Sequence, residues 1–232
     1  MADEPHAVVG VLGRGRMGTA VAEVLARRGQ RVLVAGGRPG AAAAGAPDAD
    51  AETDAVVERA DLVALALPFH AAVDLALSGR LAAGRGRVLL DMTNPRLGTG
   101  PPARTACGAA LLAGLLPRWR VVKALNTVPA VMVDRPVLDG RPVSVPVAGD
   151  DAAAKQEVMA LVRRLGFAPL DAGGIERAAH LEALADLLVA ISSLHRLGGR
   201  LGLHVAYQEA QVDARVDAPA GTVAAAPGGW AR

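Results

Sequence analysis

A glycine-rich turn near the start of the chain is the segment best suited to hold a ligand. It reads Gly13-Arg-Gly-Arg-Met-Gly18 and lies between an apolar run and a segment with helical spacing. In this context Gly13 permits a tight turn, Gly15 lets the backbone approach a pyrophosphate, and Gly18 lets the helix pack closely. The helix N-terminus adds N–H groups and partial positive charge. The pattern predicts a dinucleotide-binding loop, and the alternative is a strand-to-helix turn without a ligand.

The second apolar run ends in Ala35-Gly-Gly-Arg38, where NAD sites usually carry a carboxylate for the ribose hydroxyls. A carboxylate would repel a 2′-phosphate, whereas the guanidinium of Arg38 can pair with it through two hydrogen bonds. Arg14 and Arg16 add positive charge nearby. These residues favour NADP over NAD as the cofactor, and the alternative is that Arg38 is a solvated loop residue.

The other side chains that commonly do chemistry are not spaced as a catalytic or metal-binding group. Cys107 is the only cysteine, so neither a disulfide framework nor a cysteine zinc site is expected. Ser192 and Ser193 lack the glycine elbow of a hydrolase. The histidines beyond the N-terminus are scattered without metal-ligand spacing: His70, His180, His195 and His204. We therefore expect no bound metal.

Strands and helices are expected to alternate up to residue 149. Short apolar runs bounded by glycine or proline predict buried strands at 7–12, 31–35, 62–67, 87–90, 121–125 and 143–147. Helical spacing predicts helices at 17–28, 53–60, 70–77 and 104–115, the second with Thr53 as a possible N-cap. Strands that are apolar on both faces predict an α/β protein with a Rossmann-type, doubly wound, mainly parallel sheet. Pro146 predicts that the last of these strands lies at an edge.

A change of composition after Gly149 predicts three parts of the chain. Residues 1–149 would form an NADP-binding Rossmann domain, 150–207 a small C-terminal α/β subdomain, and 208–232 a flexible tail. The subdomain is expected to hold helices at 151–165 and 175–197 and a strand at 167–170. Its long helix carries an apolar stripe from Leu181 to Leu194, which is longer than a small subdomain easily buries. We therefore expect a homodimer.

The composition excludes several classes of protein. The chain has 232 residues, of which 52% are hydrophobic and 21% charged, which is a globular balance. A net charge of +2, with two tryptophans, one tyrosine and two phenylalanines, makes a nucleic-acid partner improbable. The most apolar stretch, at 181–191, is interrupted by Glu182 and Asp186, so no membrane span is expected. The acidic N-terminus does not read as a secretory signal, and a cytoplasmic location is expected.

Three further segments, taken with the glycine turn, resemble one family. They are Leu-Ala-Leu-Pro-Phe-His at 65–70, Lys-Ala-Leu-Asn-Thr-Val-Pro-Ala at 123–130, and Val-Pro-Val-Ala-Gly-Asp-Asp at 145–151, continued by Leu-Gly-Phe-Ala-Pro-Leu-Asp-Ala-Gly-Gly at 165–174. In order and spacing they are similar to the coenzyme F420-dependent NADP oxidoreductase family, over about residues 7–207. The resemblance implies hydride transfer between the nicotinamide of NADP and the deazaflavin of coenzyme F420, both of them small-molecule cofactors.

The resemblance also implies which residues hold the two cofactors. Residues Arg14 to Met17 would line the pyrophosphate, Gly37 and Arg38 would face the 2′-phosphate, and Leu67 and Pro68 would lie along the nicotinamide ribose. The floor where the two rings meet would be formed by Asn126, Thr127, Val128, Pro129 and Ala130. The substrate side of the site would include Phe69, His70, Gly199, Leu201, Gly202 and Tyr207.

Direct hydride transfer needs no general acid on the protein, because the cofactors carry the reacting atoms. No catalytic side chain is therefore expected. One alternative is an NADPH- or reduced-F420-dependent reductase of an imine or an activated alkene in secondary metabolism, with His70 or Tyr207 as the proton donor. Asn126 favours this alternative, because some family members have histidine at that position. Another alternative is a non-enzymatic NADP-binding redox sensor.

Overall fold

The computed structural model describes residues 8–36, 49–84, 86–95 and 107–206, and these residues hold nine strands and six helices. The strands are β1 (Val9–Leu12), β2 (Val32–Ala35), β3 (Leu62–Leu65), β4 (Val88–Asp91), β5 (Arg120–Lys123), β6 (Val137–Leu138), β7 (Arg141–Pro142), β8 (Ser144–Gly149) and β9 (Ala168–Asp171). The helices are α1 (Arg16–Arg27), α2 (Ala49–Arg59), α3 (Phe69–Leu77), α4 (Gly108–Leu115), α5 (Ala152–Arg164) and α6 (Ala178–Leu194). The expected alternation of strands and helices is confirmed.

Seven strands form one sheet in the order β2-β1-β3-β4-β5-β8-β9, and β6 and β7 form a separate hairpin. The first five strands in this order, from β2 to β5, are parallel to one another. Strands β5 and β8 are antiparallel, and β8 and β9 are parallel. This is the Rossmann-type, mainly parallel α/β fold that the sequence predicts. The chain leaves β1 for α1 at the point where the strand order reverses, which is where open α/β sheets bind their ligands.

The sheet is buried on both faces because apolar side chains alternate between two clusters. Leu62 and Ala64 of β3 pack on one face, with residues of α1 and α5. Val63 and Leu65 pack on the other face, with residues of α2, α3 and α4. All four residues of β3 are buried, as expected for a parallel strand covered on both sides. The sheet is therefore a rigid frame for the loops at its carboxyl edge.

Two sequence expectations about the ends and edges of elements are wrong. Helix α2 begins at Ala49, so Thr53 is a buried residue inside the helix and not its N-cap. Strand β8, which contains Pro146, lies between β5 and β9 and not at an edge. Its pairing with β5 involves only Ala148 and Gly149. The missing N–H of Pro146 therefore costs no hydrogen bond to β5.

The long C-terminal helix is shorter than the apolar pattern predicts. A 3₁₀ turn at Ile175–Arg177 precedes α6, and α6 ends at Leu194. Beyond it Arg196 adopts a positive φ of 53°, and Gly198 and Gly199 also have positive φ angles. A left-handed residue cannot continue an α-helix, so the chain turns back toward the sheet here. Among the described helices, none is both long and apolar enough to cross a bilayer.

Trp119 packs at the amino end of β5, on the side of the sheet covered by α2, α3 and α4. Its indole N–H donates to the carbonyl oxygen of Leu81 at 2.8 Å. A Cβ on Gly84 would overlap the indole ring, so a glycine is needed where the ring lies against the backbone. The bulkiest aromatic side chain of the described core is thus fixed at the sheet edge opposite the glycine loop.

Candidate dinucleotide-binding site

Two glycines of the loop between β1 and α1 are required by the backbone itself. Gly13 has a φ of +124°, a left-handed conformation, and a Cβ there would overlap the carbonyl of Ala66. A Cβ on Gly18 would overlap the carbonyl oxygen of Gly13, which a side-chain rotation cannot relieve. The N–H of Gly13 donates to Ala35 at 2.8 Å, which ties the turn to β2. Both glycines serve the turn and the packing of α1, as the motif predicts.

Gly15 differs from these two glycines because the space beside it is open. Its backbone is extended, with φ −74° and ψ 179°, and a Cβ there would meet no atom within 4 Å. It is the N-cap of α1, and the first turn of that helix carries no acidic residue. The first N–H groups of a helix lack intrahelical partners and attract anions. Open space beside these N–H groups fits a pyrophosphate.

The side chain of Arg14 extends from this loop to the carboxyl end of β2. Its guanidinium donates to the carbonyl oxygens of Gly36 and Val34, each at 3.2 Å. The same guanidinium lies 2.7 Å from Oε2 of Glu52 in α2. The positive charge of Arg14 is therefore at the end of β2, where the adenosine ribose lies in a Rossmann site. Gly37 and Arg38, which the sequence also places here, lie outside the described residues.

Polar side chains at the carboxyl ends of β4 and β5 form a second part of the site. Nδ2 of Asn94 donates to the carbonyl oxygen of Asn126, and Nδ2 of Asn126 donates to Oδ1 of Asn94, each at 3.0 Å. Nδ2 of Asn126 also donates to Leu181 of α6 at 2.9 Å. Both of its partners are acceptors, which fixes the orientation of the Asn126 amide.

Two acceptor atoms in this part of the site are buried without a partner among the residues that the structure describes. They are Oδ1 of Asn126 and Oγ1 of Thr93. Buried polar atoms are nearly always hydrogen-bonded, so such atoms at the carboxyl edge of a Rossmann sheet are suited to meet a ligand. Leu125 precedes Asn126 with a φ of 61°, and this turn directs the chain across the edge of the sheet.

A buried ionic cluster lies beneath this polar edge. Nζ of Lys123 is 2.9 Å from Oδ2 of Asp91 and 3.0 Å from Oε1 of Glu182, and it donates to the carbonyl oxygen of Thr93 at 2.6 Å. All three charged side chains are buried. Oδ1 of Asp91 in turn accepts from the N–H of Thr93 at 2.8 Å. The cluster thus fixes the backbone that leads into Asn94.

Glu182 also connects the cluster to the start of α4. Its carboxylate accepts from the N–H groups of Gly108 at 3.0 Å and Ala109 at 3.1 Å. The neighbouring Cys107 is the N-cap of α4, and its sulfur accepts from Ala110. Burial raises the pKa of the Cys107 thiol, so this cysteine is held as a neutral thiol and not as a nucleophile.

Sequence reasoning missed the ionic cluster. The sequence does contain a pattern that indicates this cluster. Lys123 and Asp91 each end an apolar strand, and Glu182 interrupts an apolar helical stripe. A charge at the buried end of a strand needs a partner, which predicts that such residues meet. We find no group of three potential metal-ligating side chains in the described residues.

The floor segment and the C-terminal segment of the expected site meet in the structure. A Cβ on Gly199 would lie 3.3 Å from Cβ of Pro129 and 3.2 Å from Cγ2 of Val131. The N–H of Gly199 donates to Oγ of Ser192 at 2.9 Å, which ties the C-terminal segment to α6. The C-terminal segment continues through Leu201 to Gly202, which packs on Val143 and Leu138.

The residues expected from β3 into α3 do not share one environment. Leu67 is half-buried, and Pro68 is the exposed N-cap of α3. Phe69 is buried in the core, where its ring lies against Gly108, and His70 is exposed. Only part of this segment therefore borders open space. Tyr207 lies outside the described residues.

Comparison with known families agrees with this arrangement. The family model described as NADP oxidoreductase, coenzyme F420-dependent, matches residues 8–95, which contain the glycine loop and the ends of β3 and β4. Over these residues the chain is similar to this family, and the solved structure named below supports the same likeness. The family is one of NADP-dependent oxidoreductases, so the resemblance in the sequence is confirmed.

Individual relatives extend beyond the matched segment. A crystal structure of a protein from Arthrobacter sp. FB24, provisionally named an F420-dependent NADP-reductase, has a TM-score of 0.73 and 27% identity, covering 87% of this chain and 100% of that one. The metalloreductase STEAP3 of Rattus norvegicus is 31% identical over 179 residues, which are 76% of this chain and 36% of that protein. The chain thus spans about a third of that curated relative. An imine reductase of Streptomyces aurantiacus, at 21% identity and TM-score 0.57 over 82% of this chain and 63% of that one, shares the fold.

The F420-dependent family match covers only one part of the candidate site. It includes Gly15, Thr93 and Asn94, and it ends at Pro95. Asn126 and the segment at 199–203 lie beyond it, on the side where the second substrate would bind. The matched part therefore contains the glycine loop, whereas the later segments expected to bind the second substrate lie outside it.

Proposed function

We propose that the protein transfers a hydride between NADP(H) and the deazaflavin of coenzyme F420. The observation that carries this proposal is the family match over residues 8–95, because it contains a glycine loop with open space beside the N–H groups of α1. The relative from Arthrobacter sp. FB24 supports the same pair of cofactors by its name, and this chain covers its whole length.

The nucleotide end of the proposed complex uses charge and backbone donors. The pyrophosphate would bind the first N–H groups of α1, next to Gly15, where no side chain intervenes. Arg14 stands at the end of β2, where a guanidinium can bind the 2′-phosphate that distinguishes NADP from NAD. We assign Arg38 to the same phosphate from its place in the sequence.

The ring end of the proposed complex uses one buried acceptor and an apolar floor. Oδ1 of Asn126 is suited to accept from the carboxamide N–H of the nicotinamide, because it is buried and has no partner in the described chain. Val128, Pro129 and Ala130 follow it with apolar side chains that help to exclude water. The bound cofactors supply the hydride and its acceptor. The protein's part is to hold the donor and acceptor carbons about 3–3.5 Å apart.

The test is a mixed assay in which NADPH, purified F420 and the protein are combined and the absorbance of oxidised F420 is followed. We expect loss of that absorbance with the wild-type protein and little or none with Gly15→Val, which blocks the pyrophosphate. Saturating binding of both cofactors without turnover would reject the proposal. Turnover that Gly15→Val leaves intact would reject the placement of NADPH on this loop.

A second candidate is an NADPH-dependent reductase of an imine. The observation that favours it is Asn126 at a position where some F420-dependent members carry histidine, next to the expected second ring. This reaction needs a proton, and the exposed His70 at the start of α3 is a donor that could supply it, as is Tyr207. A cyclic imine replacing F420 in the same assay separates the two functions.

A further inference from the structure

A carboxylate reaches the end of β2 from a distant part of the sequence. Sequence reasoning found none directly after this strand, but Glu52 of α2 places Oε2 at 2.7 Å from Nη1 of Arg14. The same guanidinium is bound to the carbonyl oxygens of Val34 and Gly36. Glu52 therefore meets Arg14 where the structure holds Arg14 against the strand that carries the adenosine ribose in Rossmann sites.

The pair has consequences for the phosphate that distinguishes the two nicotinamide cofactors. The guanidinium of Arg14 donates to two carbonyls and one carboxylate with three of its five N–H groups, so a 2′-phosphate bound by the remaining two would lie beside the carboxylate of Glu52 and share the charge of Arg14 with it. A dianionic phosphate next to a carboxylate is repelled, whereas the two uncharged hydroxyls of the NADH ribose are not. The side chains of Arg14 and Glu52 are 41% and 23% exposed, so both can move.

We propose that Glu52 limits the preference of this site for NADPH over NADH by competing with the 2′-phosphate for Arg14. The inference rests on the NADP site of the proposed function and adds a residue that sets its specificity. Glu52 does not act on the reacting rings, since it lies at the adenosine end of the site. Its effect therefore belongs to cofactor affinity and not to the hydride step.

The experiment compares the dissociation constants of NADPH and NADH, measured without a second substrate, for the wild type and for Glu52→Gln. This change keeps the size of the side chain and removes its charge. We expect NADPH to bind about threefold to tenfold more tightly, as removal of one nearby like charge allows, and NADH to change by less than about twofold. Glu52→Ala is the second variant, with the same expectation, in case the glutamine still bridges to Arg14.

Glu58→Gln is the matched control. Glu58 is an exposed residue of the same helix, six residues beyond Glu52, so its replacement makes the same change in net charge away from Arg14. We expect this control to leave the ratio of the two dissociation constants unchanged. In an Arg14→Ala background, Glu52→Gln should improve NADPH binding by less than it does in the wild type, because Glu52 then no longer occupies Arg14 and only its repulsion of the phosphate remains.

Three results would overturn the inference. They are an unchanged NADPH-to-NADH ratio in Glu52→Gln, an equal gain in the Arg14→Ala background, and weaker NADH binding in Glu52→Gln, which would make Glu52 a ligand of the ribose hydroxyls. The proposed function fails separately, if the wild type binds NADPH but does not reduce F420. A wild type that binds neither nicotinamide cofactor would overturn both.

Discussion

The ammonium group of Lys123 lies 2.9 Å from Oδ2 of Asp91, and neither side chain exposes any surface to solvent. The remaining N–H groups of Lys123 reach Glu182 and the carbonyl of Thr93, so all three have acceptors. A buried ion pair is tolerated only when its geometry and hydrogen bonds compensate for the loss of hydration. This cluster meets that condition, and it joins β4, β5 and α6 beneath the polar edge of the site.

Lys123→Met should reduce the free energy of unfolding by about 3–5 kcal/mol, because it leaves two buried carboxylates without their counter-ion. Urea denaturation measures this loss. The matched control is Lys155→Met, since Lys155 pairs with the half-exposed Asp171 at 2.8 Å. The control should reduce the free energy of unfolding by about 1 kcal/mol or less. Equal losses for the two lysines would contradict the structural role of the buried cluster.

Gly15→Val should raise the dissociation constant of NADPH at least about tenfold while the melting temperature changes little. The extended backbone accepts a side chain and its Cβ meets no protein atom within 4 Å, but the side chain fills the space beside the N–H groups of α1. Gly18→Val is the contrasting variant, because its Cβ would overlap the backbone of Gly13 and destabilise the fold. Titration of NADPH and thermal unfolding distinguish the two outcomes. Full NADPH affinity in Gly15→Val would place the cofactor elsewhere.

Asn126→Ala should reduce turnover by less than about 10²-fold, the lower end of the loss expected for a general acid or base. It removes the acceptor Oδ1 and two donated hydrogen bonds, so it should act on ring position and raise the KM for NADPH. His70→Ala should reduce turnover by less than about tenfold, since direct hydride transfer takes no proton from the protein. Steady-state kinetics with F420 measure both. If His70→Ala abolishes turnover while both cofactors bind, the imine reductase becomes the better assignment.

Asp151→Ala should destabilise the protein near neutral pH, and the loss should shrink in acid. The N–H of Ala154, then the charge of Arg120, hold the pKa of Asp151 below its ordinary value near 3.8. A lowered pKa means that the carboxylate stabilises the fold above that ordinary value and ceases to do so as the pH falls through the lower, folded-state value. Urea denaturation at pH 7 and below pH 4 tests this. Asp151→Asn keeps an N-cap, so it should lose less stability than Asp151→Ala. A difference in stability between wild type and Asp151→Ala that stays constant with pH would contradict the assignment.

Leu187→Glu together with Leu194→Glu should convert a homodimer into a monomer without loss of thermal stability. These leucines are 56% and 77% exposed in α6, whereas Leu181 and Leu188 of the same stripe are buried in the protein's own core. Leu77→Glu is the control, because Leu77 is 66% exposed on a different helix, α3. Light scattering measures the mass of each variant at micromolar concentration. A monomeric wild type would contradict the expected dimer.

Local patterns in the sequence predicted the elements that form the sheet and the glycine loop. The strands at 9–12 and 62–65 are continuous apolar runs, and the alternation of Leu62 to Leu65 between the two faces follows from strand geometry alone. The glycines of the loop from Gly13 to Gly18 have fixed spacing because the backbone of the turn excludes side chains at Gly13 and Gly18. Such features depend on neighbouring residues, so a single sequence contains enough information to place them.

Contacts between distant segments could not be predicted in the same way. Lys123 and Glu182 meet because β5 and α6 pack against each other, and neither spacing nor composition indicates that packing. The same is true of Arg14 and Glu52, which belong to different elements. Pro146 predicts an edge strand because proline is usually excluded from interior strands, whereas here β5 pairs with only the last two residues of β8. Tertiary partners, not local propensity, decide these positions.

The packing of Trp119 on Gly84 provides the protein with a spectroscopic reporter of folding. An indole that is almost completely buried emits at shorter wavelength than one in water, and here its N–H is held by Leu81. Trp119 precedes β5 and so lies at the amino edge of the sheet, whereas the glycine loop lies at the carboxyl edge. Its emission should therefore shift to longer wavelength on global unfolding and stay constant when a nucleotide binds. Replacing Trp230, the other tryptophan, by phenylalanine isolates this signal.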